Sequence, residues 1–263
     1  MRRMEEMKMQ REKRFPDNND ACLKYYELIL EQKNVRNIPV APLPDGYLFV
    51  YYRPGDKKDW IAIEMSAREF VLEEEGEMAW KNYYGGREEE LTDRMLFIED
   101  SSGEKVATAT AFYDSRDTSG AGWLHWVAVK RTQQGKGLAR PLISKALHRL
   151  TELGYTDIKV PTQTNTWVAA KLYLDAGFIP EEKNAVCSRD GYRILKTLTG
   201  HPSLEGIEPL PFEDIWDQEM LLTEKKLRDN MPDLLYFKAE EWKGKRRVLY
   251  CTEKNRGILE IDK

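Results

Sequence analysis

The sequence predicts an α/β protein with a mixed sheet, and three patterns indicate that class. From Gly46 onward, short runs rich in β-branched and aromatic residues alternate with longer runs of helical periodicity. The strongest strand pattern, at 123–130, leads through a glycine-bearing turn into an amphipathic helix at 134–153. A second strand and helix pair follows at 157–160 and 166–176. Such alternation is typical of a sheet covered by helices.

Composition narrows the class of protein to which this chain can belong. The chain has 263 residues with a formal net charge of −4, and 41% of its residues are hydrophobic while 33% are charged. These values are ordinary for a soluble globular protein, and the mild acidity gives no reason to expect nucleic acid as a partner. No apolar run approaches the ~20 residues of a membrane helix, and the N-terminus does not resemble a secretory signal. We therefore expect a cytoplasmic protein without a membrane partner.

Cysteine usage agrees with that location. Cys22, Cys187 and Cys251 are scattered and odd in number, so they predict neither a disulfide framework nor a zinc site. We expect no bound metal.

The chain divides into three regions. Residues 1–45 predict an N-terminal helical segment and linker, with a helix from Asp20 to about Lys33 and a proline-rich linker at 39–44. Residues 46–198 carry the alternating pattern. Residues 199–263 predict an extension with a helix at 212–230 and a small antiparallel meander. The extension has apolar residues to bury, so we expect it to pack on the core or on a second subunit, which would make a homodimer.

Within 46–198 the elements follow one another closely. Residues 57–90 are predicted to be helical, in addition to the helices at 134–153 and 166–176. The predicted strands are 46–53, 95–99, 105–113, 123–130, 157–160, 178–180 and 192–197.

The glycine turn before the helix at 134–153 is a candidate anion site. Pro141 is tolerated only in the first turn of a helix, so the helix should begin near Gly137 or Leu138. The free amides of 135–140 would then face solvent at the positive end of the helix dipole. Gly135 and Gly137 allow a close approach of the backbone and a positive φ. A tight connection without a ligand gives the same local pattern.

Two motifs in the expected order resemble the GNAT superfamily of acyl-CoA N-acyltransferases. The run from Gln134 to Ala139 fits Gln/Arg-x-x-Gly-x-Gly/Ala, the pyrophosphate loop of that family. Residues 169–178 resemble its second signature, Ala-x-x-Leu-Tyr-x-x-x-Gly-Phe. The resemblance covers about 46–197. It implies a mixed sheet that is splayed between the strands at 123–130 and 157–160, with helices on its faces and acetyl-CoA in the gap.

The resemblance also implies a set of cofactor-binding residues. The segment before the glycine turn resembles the family strand whose backbone pairs with the pantetheine arm. Many members place an Asn where this chain has Thr166, with Asn165 beside it; Thr166 can still cap its helix and offer a hydroxyl. The implied set is Val127, Ala128, Val129, Gln134, Gly135, Lys136, Gly137, Leu138, Ala139, Arg140, Asn165, Thr166 and Ala169.

Two catalytic roles follow from the same resemblance. Tyr173 occupies the general-acid position, and a phenol with a pKa near ~10 is protonated at neutral pH. His125 is the candidate general base, since strand alternation would place it on one face with Val127 and Val129. Each side chain could instead serve packing alone, Tyr173 on the apolar face of its helix and His125 between two Trp residues.

The predicted function is acetyl-CoA-dependent N-acetyl transfer to a primary amine of a small molecule or amino acid. The alternative is a non-catalytic acyl-CoA sensor or interaction module on the same fold, in which the acceptor channel would be blocked. A third hypothesis is that the protein transfers an acyl group other than acetyl. The acidic clusters in 69–90 could attract a cationic amine, or they could form a solvated helix face.

Overall fold

The computed structural model describes residues 14–243 and 245–261, and the fold is an α/β sheet protein with a smaller second sheet. Ten strands are present in this part of the chain. They are β1 (Glu27–Gln32), β2 (Tyr47–Tyr51), β3 (Met95–Asp100), β4 (Lys105–Phe112), β5 (Gly122–Val129), β6 (Ile158–Gln163), β7 (Ile179–Pro180), β8 (Leu234–Trp242), β9 (Lys245–Thr252) and β10 (Arg256–Ile261).

Helices connect most of these strands. In the same described residues they are α1 (Lys57–Ser66), α2 (Glu73–Tyr84), α3 (Glu88–Arg94), α4 (Ala139–Glu152), α5 (Trp167–Asp175), α6 (Glu182–Cys187), α7 (Arg189–Thr199) and α8 (Gln218–Asn230). No helix in the described ranges is both long enough and apolar enough to cross a membrane.

The central sheet has seven strands in the order β2-β3-β4-β5-β6-β1-β7. Its pairs are antiparallel except for β5 and β6, which run parallel and pair only at Gly122 with Ile158 and at Trp123 with Lys159. Beyond Trp123 the two strands separate, so the backbone of the rest of β5 lies beside an open gap. The predicted α/β class, the mixed sheet and the splay between these two strands are confirmed.

Each face of the sheet has its own core. On one face, α4 buries Leu142, Ala146 and Leu150 against β3, β4 and β5. On the other face, α1 and α2 contribute Trp60 and Trp80 to an aromatic cluster over β3, β4 and β5. Burial of large aromatic side chains fixes α1 and α2 against the strands that border the gap.

The helix predicted from Asp20 to Lys33 is wrong. Residues 27–32 form β1, which is inserted between β6 and β7. Leu28 and Leu30 are fully buried, while Glu27 is exposed, so apolar side chains alternate with a period of two. Strand pairing on both edges outweighs the weak helical propensity of this segment, and the central sheet therefore includes a strand that precedes the region predicted at 46–198.

The strand predicted at 192–197 is also wrong, since these residues lie in helix α7. Tyr192, Leu195 and Leu198 recur at intervals of three and are buried on one face. Gly200 ends the helix in the left-handed conformation with a φ of 59°. The apparent alternation of Tyr192 and Ile194 is part of this wider helical stripe.

The C-terminal extension forms the predicted helix and meander, and it packs on the core. Helix α8 and the sheet β10-β9-β8 share a buried cluster with Leu23, Ile194 and Trp216. A second, smaller contact joins Leu249 and Cys251 of β9 to Val71, which lies between α1 and α2.

Candidate active site

The turn before α4 has the geometry of an anion site. Gly135 and Gly137 adopt φ values of 78° and 80°, and the space beside both is open. Helix α4 begins at Ala139, so Pro141 lies in its first turn as predicted. Among residues 14–243 and 245–261, no carbonyl accepts a backbone hydrogen bond from the amides of 135–137. These amides and the positive end of α4 are available to a phosphate.

Side chains of the turn hold it in place. Gln134 donates from Nε2 to the carbonyl oxygen of Val129 at 3.0 Å, which ties the turn to the end of β5. Lys136 donates from Nζ to Oε1 of Gln133 at 2.7 Å, and it does not itself line the cavity beside the turn. Arg140 is 69% exposed and pairs with Asp175 at 3.2 Å. An exposed pair of this kind costs little to break, so Arg140 can turn toward a ligand.

A cavity of about 360 Å³ lies beside this turn, between β5 and α5. We call it the glycine-loop cavity. Most of the predicted cofactor residues line it. They are Val127, Val129, Gln134, Gly135, Gly137, Leu138, Ala139, Arg140 and Ala169, and Tyr173 lines it as well.

Four predicted cofactor residues, Ala128, Lys136, Asn165 and Thr166, do not line this cavity, although Ala128 and Thr166 line a second cavity that is described below. Asn165 is buried and donates from Nδ2 to the carbonyl oxygen of Asp20 at 2.6 Å, so its side chain anchors the N-terminal segment and lines neither cavity of the site. Thr166 precedes α5 without a capping hydrogen bond from its hydroxyl, which contacts Gln163 and Thr162 instead. Ala128 points to the opposite face of β5. The spacing of residues in the sequence does not determine in which direction these side chains point.

A bulge in β5 changes the faces that simple alternation predicts. Thr108 lies opposite Ala128, but Thr110 lies opposite His125, so β5 contains one extra residue. Trp126 carries the distortion, with a φ of 47°. Val127 and Val129 therefore face the α4 side, whereas His125 faces the aromatic cluster. The predicted grouping of His125 with Val127 and Val129 on one face is wrong.

His125 is enclosed by aromatic rings. It stacks on Phe112 with ring centroids 4.6 Å apart and meets Tyr83 at 4.7 Å. Its Nδ1 lies 3.4 Å from the hydroxyl of Tyr84, which itself donates to Thr110. Burial lowers the pKa of the His125 ring to about 3. The ring is neutral at physiological pH and weakly basic, and a general base works best with a pKa near the operating pH.

Tyr173 stands where two cavities meet. Its side chain is 4% exposed and lines both the glycine-loop cavity and a second cavity of about 330 Å³ on the other side of β5. Burial, together with the nearby carboxyls of Glu69 and Glu64, holds the pKa of the Tyr173 phenol well above its usual value of about 10. The phenol is therefore protonated at neutral pH and can donate a proton.

The second cavity contains two carboxyl groups that the predicted site residues do not include, although Glu69 begins the acidic stretch 69–90 that could attract a cationic amine. Glu64 ends the apolar face of α1, and Glu69 follows in the loop before α2. We call this space the carboxylate cavity. Burial raises the pKa of Glu64 well above its usual range, and it raises the pKa of Glu69 to about 7 in spite of the opposing charge of Lys238. The signal in the sequence was Glu64 itself, which stands four residues after Trp60 on an apolar helix face.

Comparison with known proteins agrees with this geometry. The family model described as "Acetyltransferase (GNAT) family" matches residues 57–178. Residues 57–178 form a GNAT acetyltransferase domain. The match includes α1, the bulged strand β5, the glycine turn and Tyr173.

Individual relatives of the domain are distant. A mycothiol acetyltransferase of Catenulispora acidiphila is 26% identical over 159 residues, which cover 58% of this chain and 50% of that protein. The chain thus aligns with about half the length of that curated relative. A GCN5-related N-acetyltransferase from Sphaerobacter thermophilus is 20% identical, with a TM-score of 0.48 over 61% of this chain and 49% of that one. A GNAT-family acetyltransferase from Colwellia psychrerythraea is 13% identical, with a TM-score of 0.46 over 61% and 55%.

Parts of the chain outside the GNAT family match also reach the site. Asn18 lines both the glycine-loop and the carboxylate cavity, and Tyr25 lines the carboxylate cavity. Asn19 donates to a carboxyl oxygen of Glu69 at 3.3 Å. Sequence analysis missed these residues because they precede both family signatures. Among the residues that the structure describes, no three His, Cys, Asp or Glu side chains converge as a metal site.

Proposed function

We propose that this protein transfers an acetyl group from acetyl-CoA to a primary amine of a small molecule. The observation that carries the proposal is the position of Tyr173 at the junction of the glycine-loop and carboxylate cavities. One cavity offers free amides for a pyrophosphate, and the other offers carboxyls for an amine. A reduced cytoplasmic compartment belongs to the proposal, because Cys22, Cys187 and Cys251 are free thiols.

The cofactor would lie along β5. The pyrophosphate would bind the free amides of Gly135 to Gly137 and the helix dipole of α4, with Arg140 nearby. The pantetheine arm would lie in the gap beyond Trp123, where the backbone of β5 has no neighbouring strand on that edge. The thioester would then approach Tyr173. Val127, Val129 and Ala169 would form apolar walls around it.

The chemistry needs one proton acceptor and one proton donor. The acceptor enters as an ammonium ion, and Glu69 as carboxylate takes its proton to give the neutral amine. The amine nitrogen then attacks the thioester carbonyl carbon, and the tetrahedral intermediate collapses with cleavage of the carbon–sulfur bond. Tyr173 donates its proton to the leaving thiolate, and the second proton of the acetylated nitrogen passes to the resulting phenolate, which restores Tyr173 and leaves a neutral amide. We propose Glu69 in place of His125 as the base, because a carboxyl with a pKa of about 7 is half ionised near neutral pH.

The non-catalytic sensor is the competing proposal. In that case the route from the thioester to an acceptor would be blocked. The carboxylate cavity is continuous with Tyr173 through Val127, Val129 and Gln134, which line both cavities, and this favours catalysis.

Cofactor binding is tested first. Acetyl-CoA at ~100 times its dissociation constant should stabilise the protein by about 2.7 kcal/mol, a shift of several degrees in Tm. CoA should act similarly and ATP should not. Absence of a shift at millimolar acetyl-CoA would contradict the proposal at its first step.

Replacing Tyr173 by Phe tests the acid. We expect kcat to fall by about 10²-fold because the leaving thiolate loses its proton donor. The dissociation constant for acetyl-CoA should change little, since the ring remains. Tyr51→Phe on the edge strand β2 is the control and should keep full activity. Wild-type turnover by the Tyr173→Phe variant, measured as thiol release, would remove Tyr173 from the mechanism.

A further inference from the structure

The carboxylate cavity contains one more acidic group than the reaction needs. Only one base is required to deprotonate the nucleophile, and Glu69 has the suitable pKa. Glu64 also lines the cavity, yet it is 1% exposed, and neither carboxyl oxygen has a hydrogen-bond donor among the described residues. Buried polar groups in native structures almost always have partners. Such an orphaned carboxyl, on a residue that lines a cavity, indicates a missing ligand.

The surroundings of Glu64 define the charge of that ligand. Within the described residues, no Lys or Arg side chain lines the cavity. Lys238 approaches from outside and is occupied by the carbonyl oxygen of Glu69 at 3.2 Å and by an ion pair with Glu75. An isolated carboxylate is costly to bury, and Glu69 nearby adds repulsion, so both effects raise the pKa of Glu64 well above its usual range. A cation in the cavity would reverse both effects.

The walls are suited to the same kind of ligand. Tyr25, Tyr83 and Trp126 line the cavity together with the two carboxyls. Aromatic faces attract ammonium groups, most strongly where water is excluded. A ligand carboxylate, in contrast, would face Glu64 and Glu69 with no lining cation to offset the repulsion. This argues against acceptors of the amino-acid type.

We propose that the acceptor is an aliphatic diamine, whose second ammonium group binds Glu64 while its first nitrogen is acetylated. The assignment rests on the proposed N-acetyltransferase function and narrows it to one substrate class. Glu69 takes the proton of the reacting nitrogen, and Glu64 is the counter-ion of the distant one. Both carboxyls line the cavity, whose volume of about 330 Å³ has room for a short unbranched chain.

Matched acceptors separate this class from amines in general. We would compare 1,5-diaminopentane with 5-amino-1-pentanol, which replaces one ammonium by a hydroxyl, and with lysine, which adds a carboxylate. We expect kcat/KM to be at least about tenfold higher for the diamine than for either compound, the loss that follows when a buried charged contact is not made. Equal values for diamine and amino alcohol would overturn the proposal and leave N-acetyl transfer standing.

Variants assign the preference to Glu64. In Glu64→Gln the ratio of kcat/KM for diamine over amino alcohol should fall to within about threefold of one. Glu74→Gln removes an equal charge from the exposed surface of α2 and should keep the wild-type ratio. Stabilisation by acetyl-CoA in both variants verifies that they are folded. A Glu64→Gln variant with the wild-type ratio would overturn the proposal.

Binding without turnover distinguishes the inference from the function on which it rests. Calorimetric titration of 1,5-diaminopentane into the CoA-bound protein should give an affinity at least about tenfold higher for wild type than for Glu64→Gln. If the diamine binds in this way but no amine is acetylated, the cation site stands and the proposed transfer reaction fails. If the amino alcohol is acetylated but the diamine shows no Glu64-dependent binding, the diamine site fails and the reaction stands.

Discussion

At the scale of single residues, the surroundings of a titratable group decide its role more than its identity does. His125 has the ordinary pKa of a physiological base, but its aromatic enclosure lowers that value to about 3. Glu69 begins as a weak base, and burial raises its pKa to about 7. In the proposed mechanism, the two environments therefore exchange the roles that the residue types alone would suggest.

The pH dependence of the reaction tests this exchange. The active form of Glu69 is the carboxylate, which forms as pH rises, so kcat/KM for the amine should increase through a pKa of about 7. In Glu69→Gln this limb should disappear and the rate should fall by about 10²-fold. Further increase at higher pH, as the free amine forms, should persist in both proteins.

The control for this experiment is Glu74→Gln, which should keep the limb at pH 7. If Glu69→Gln kept the limb at pH 7, the assignment of Glu69 as the general base would be wrong. His125 or a water molecule would then be the next candidate for that role.

Residues that lie in contiguous motifs could be predicted, and residues brought in by the fold could not. Gln134, Gly137 and Tyr173 lie inside patterns whose chemistry is local to one turn or one helix, and all three line the glycine-loop cavity. Glu64 reaches the site because α1 packs against β5, and Asn18 reaches it because its neighbours Asn19 and Asp20 are hydrogen-bonded to Arg68 and Asn165. Spacing marks Glu64 as a carboxyl on an apolar helix face, but it does not encode which strand that face covers.

At the scale of elements, the turn into α4 combines an unusual backbone with an open surface. The turn requires the positive φ of Gly137. The atom nearest to a Cβ added at this position is Cγ of Pro44, at 3.9 Å. A methyl group would therefore cause backbone strain and would also occupy the space that a phosphate needs.

Gly137→Ala and Gly120→Ala separate these two effects. Gly120 has a φ of 73° in a loop with open space around it, so it matches Gly137 in strain. Both variants should lose about 1–2 kcal/mol of unfolding free energy. Only Gly137→Ala should also raise the dissociation constant for acetyl-CoA, by about tenfold, as measured by calorimetry. Equal affinities in the two variants would mean that this turn does not bind the pyrophosphate.

Errors in the predicted elements have a common physical origin. The segments at 27–32 and 192–197 are both short, half of the residues in each are apolar, and their local pattern fits a helix or a strand. Tertiary packing determines the secondary structure of both segments. β1 pairs with two strands, and α7 covers the sheet with Tyr192 and Leu195. The bulge at Trp126 could not be predicted either. One extra residue can be recognised in the alternation of side chains along β5 only when the partner strand is known.

At the scale of the whole molecule, the C-terminal extension supports the loop that carries Glu69. Tyr236 donates from its hydroxyl to the carbonyl oxygen of Phe70 at 3.1 Å, and Arg256 donates to that of Val71 at 2.7 Å. Arg68 donates to the carbonyl oxygen of Leu235 while holding a φ of 73°. A distant part of the chain thus fixes one wall of the carboxylate cavity.

Loss of that support should affect the amine and spare the cofactor. In Arg256→Ala the loop at 67–72 loses a charge-assisted hydrogen bond, so we expect KM for the amine to rise by about three- to tenfold. The dissociation constant for acetyl-CoA should be unchanged. Arg247→Ala is the matched control, because Arg247 pairs with Glu240 inside the extension and does not contact the loop. Equal KM values for the two variants would confine the extension to a structural role.

The insertion of β1 between β6 and β7 also constrains how the protein is made. Ribosomes deliver β1 early, but both of its partner strands emerge only after most of the central sheet has been synthesised, a delay of roughly ten seconds or more at typical elongation rates. During that interval Leu28 and Leu30 have no place in a core, and the edge of β5 that later pairs with β6 is open. The final closure of this half of the sheet is therefore a late, non-local event, and nascent chains would need protection from aggregation until it occurs.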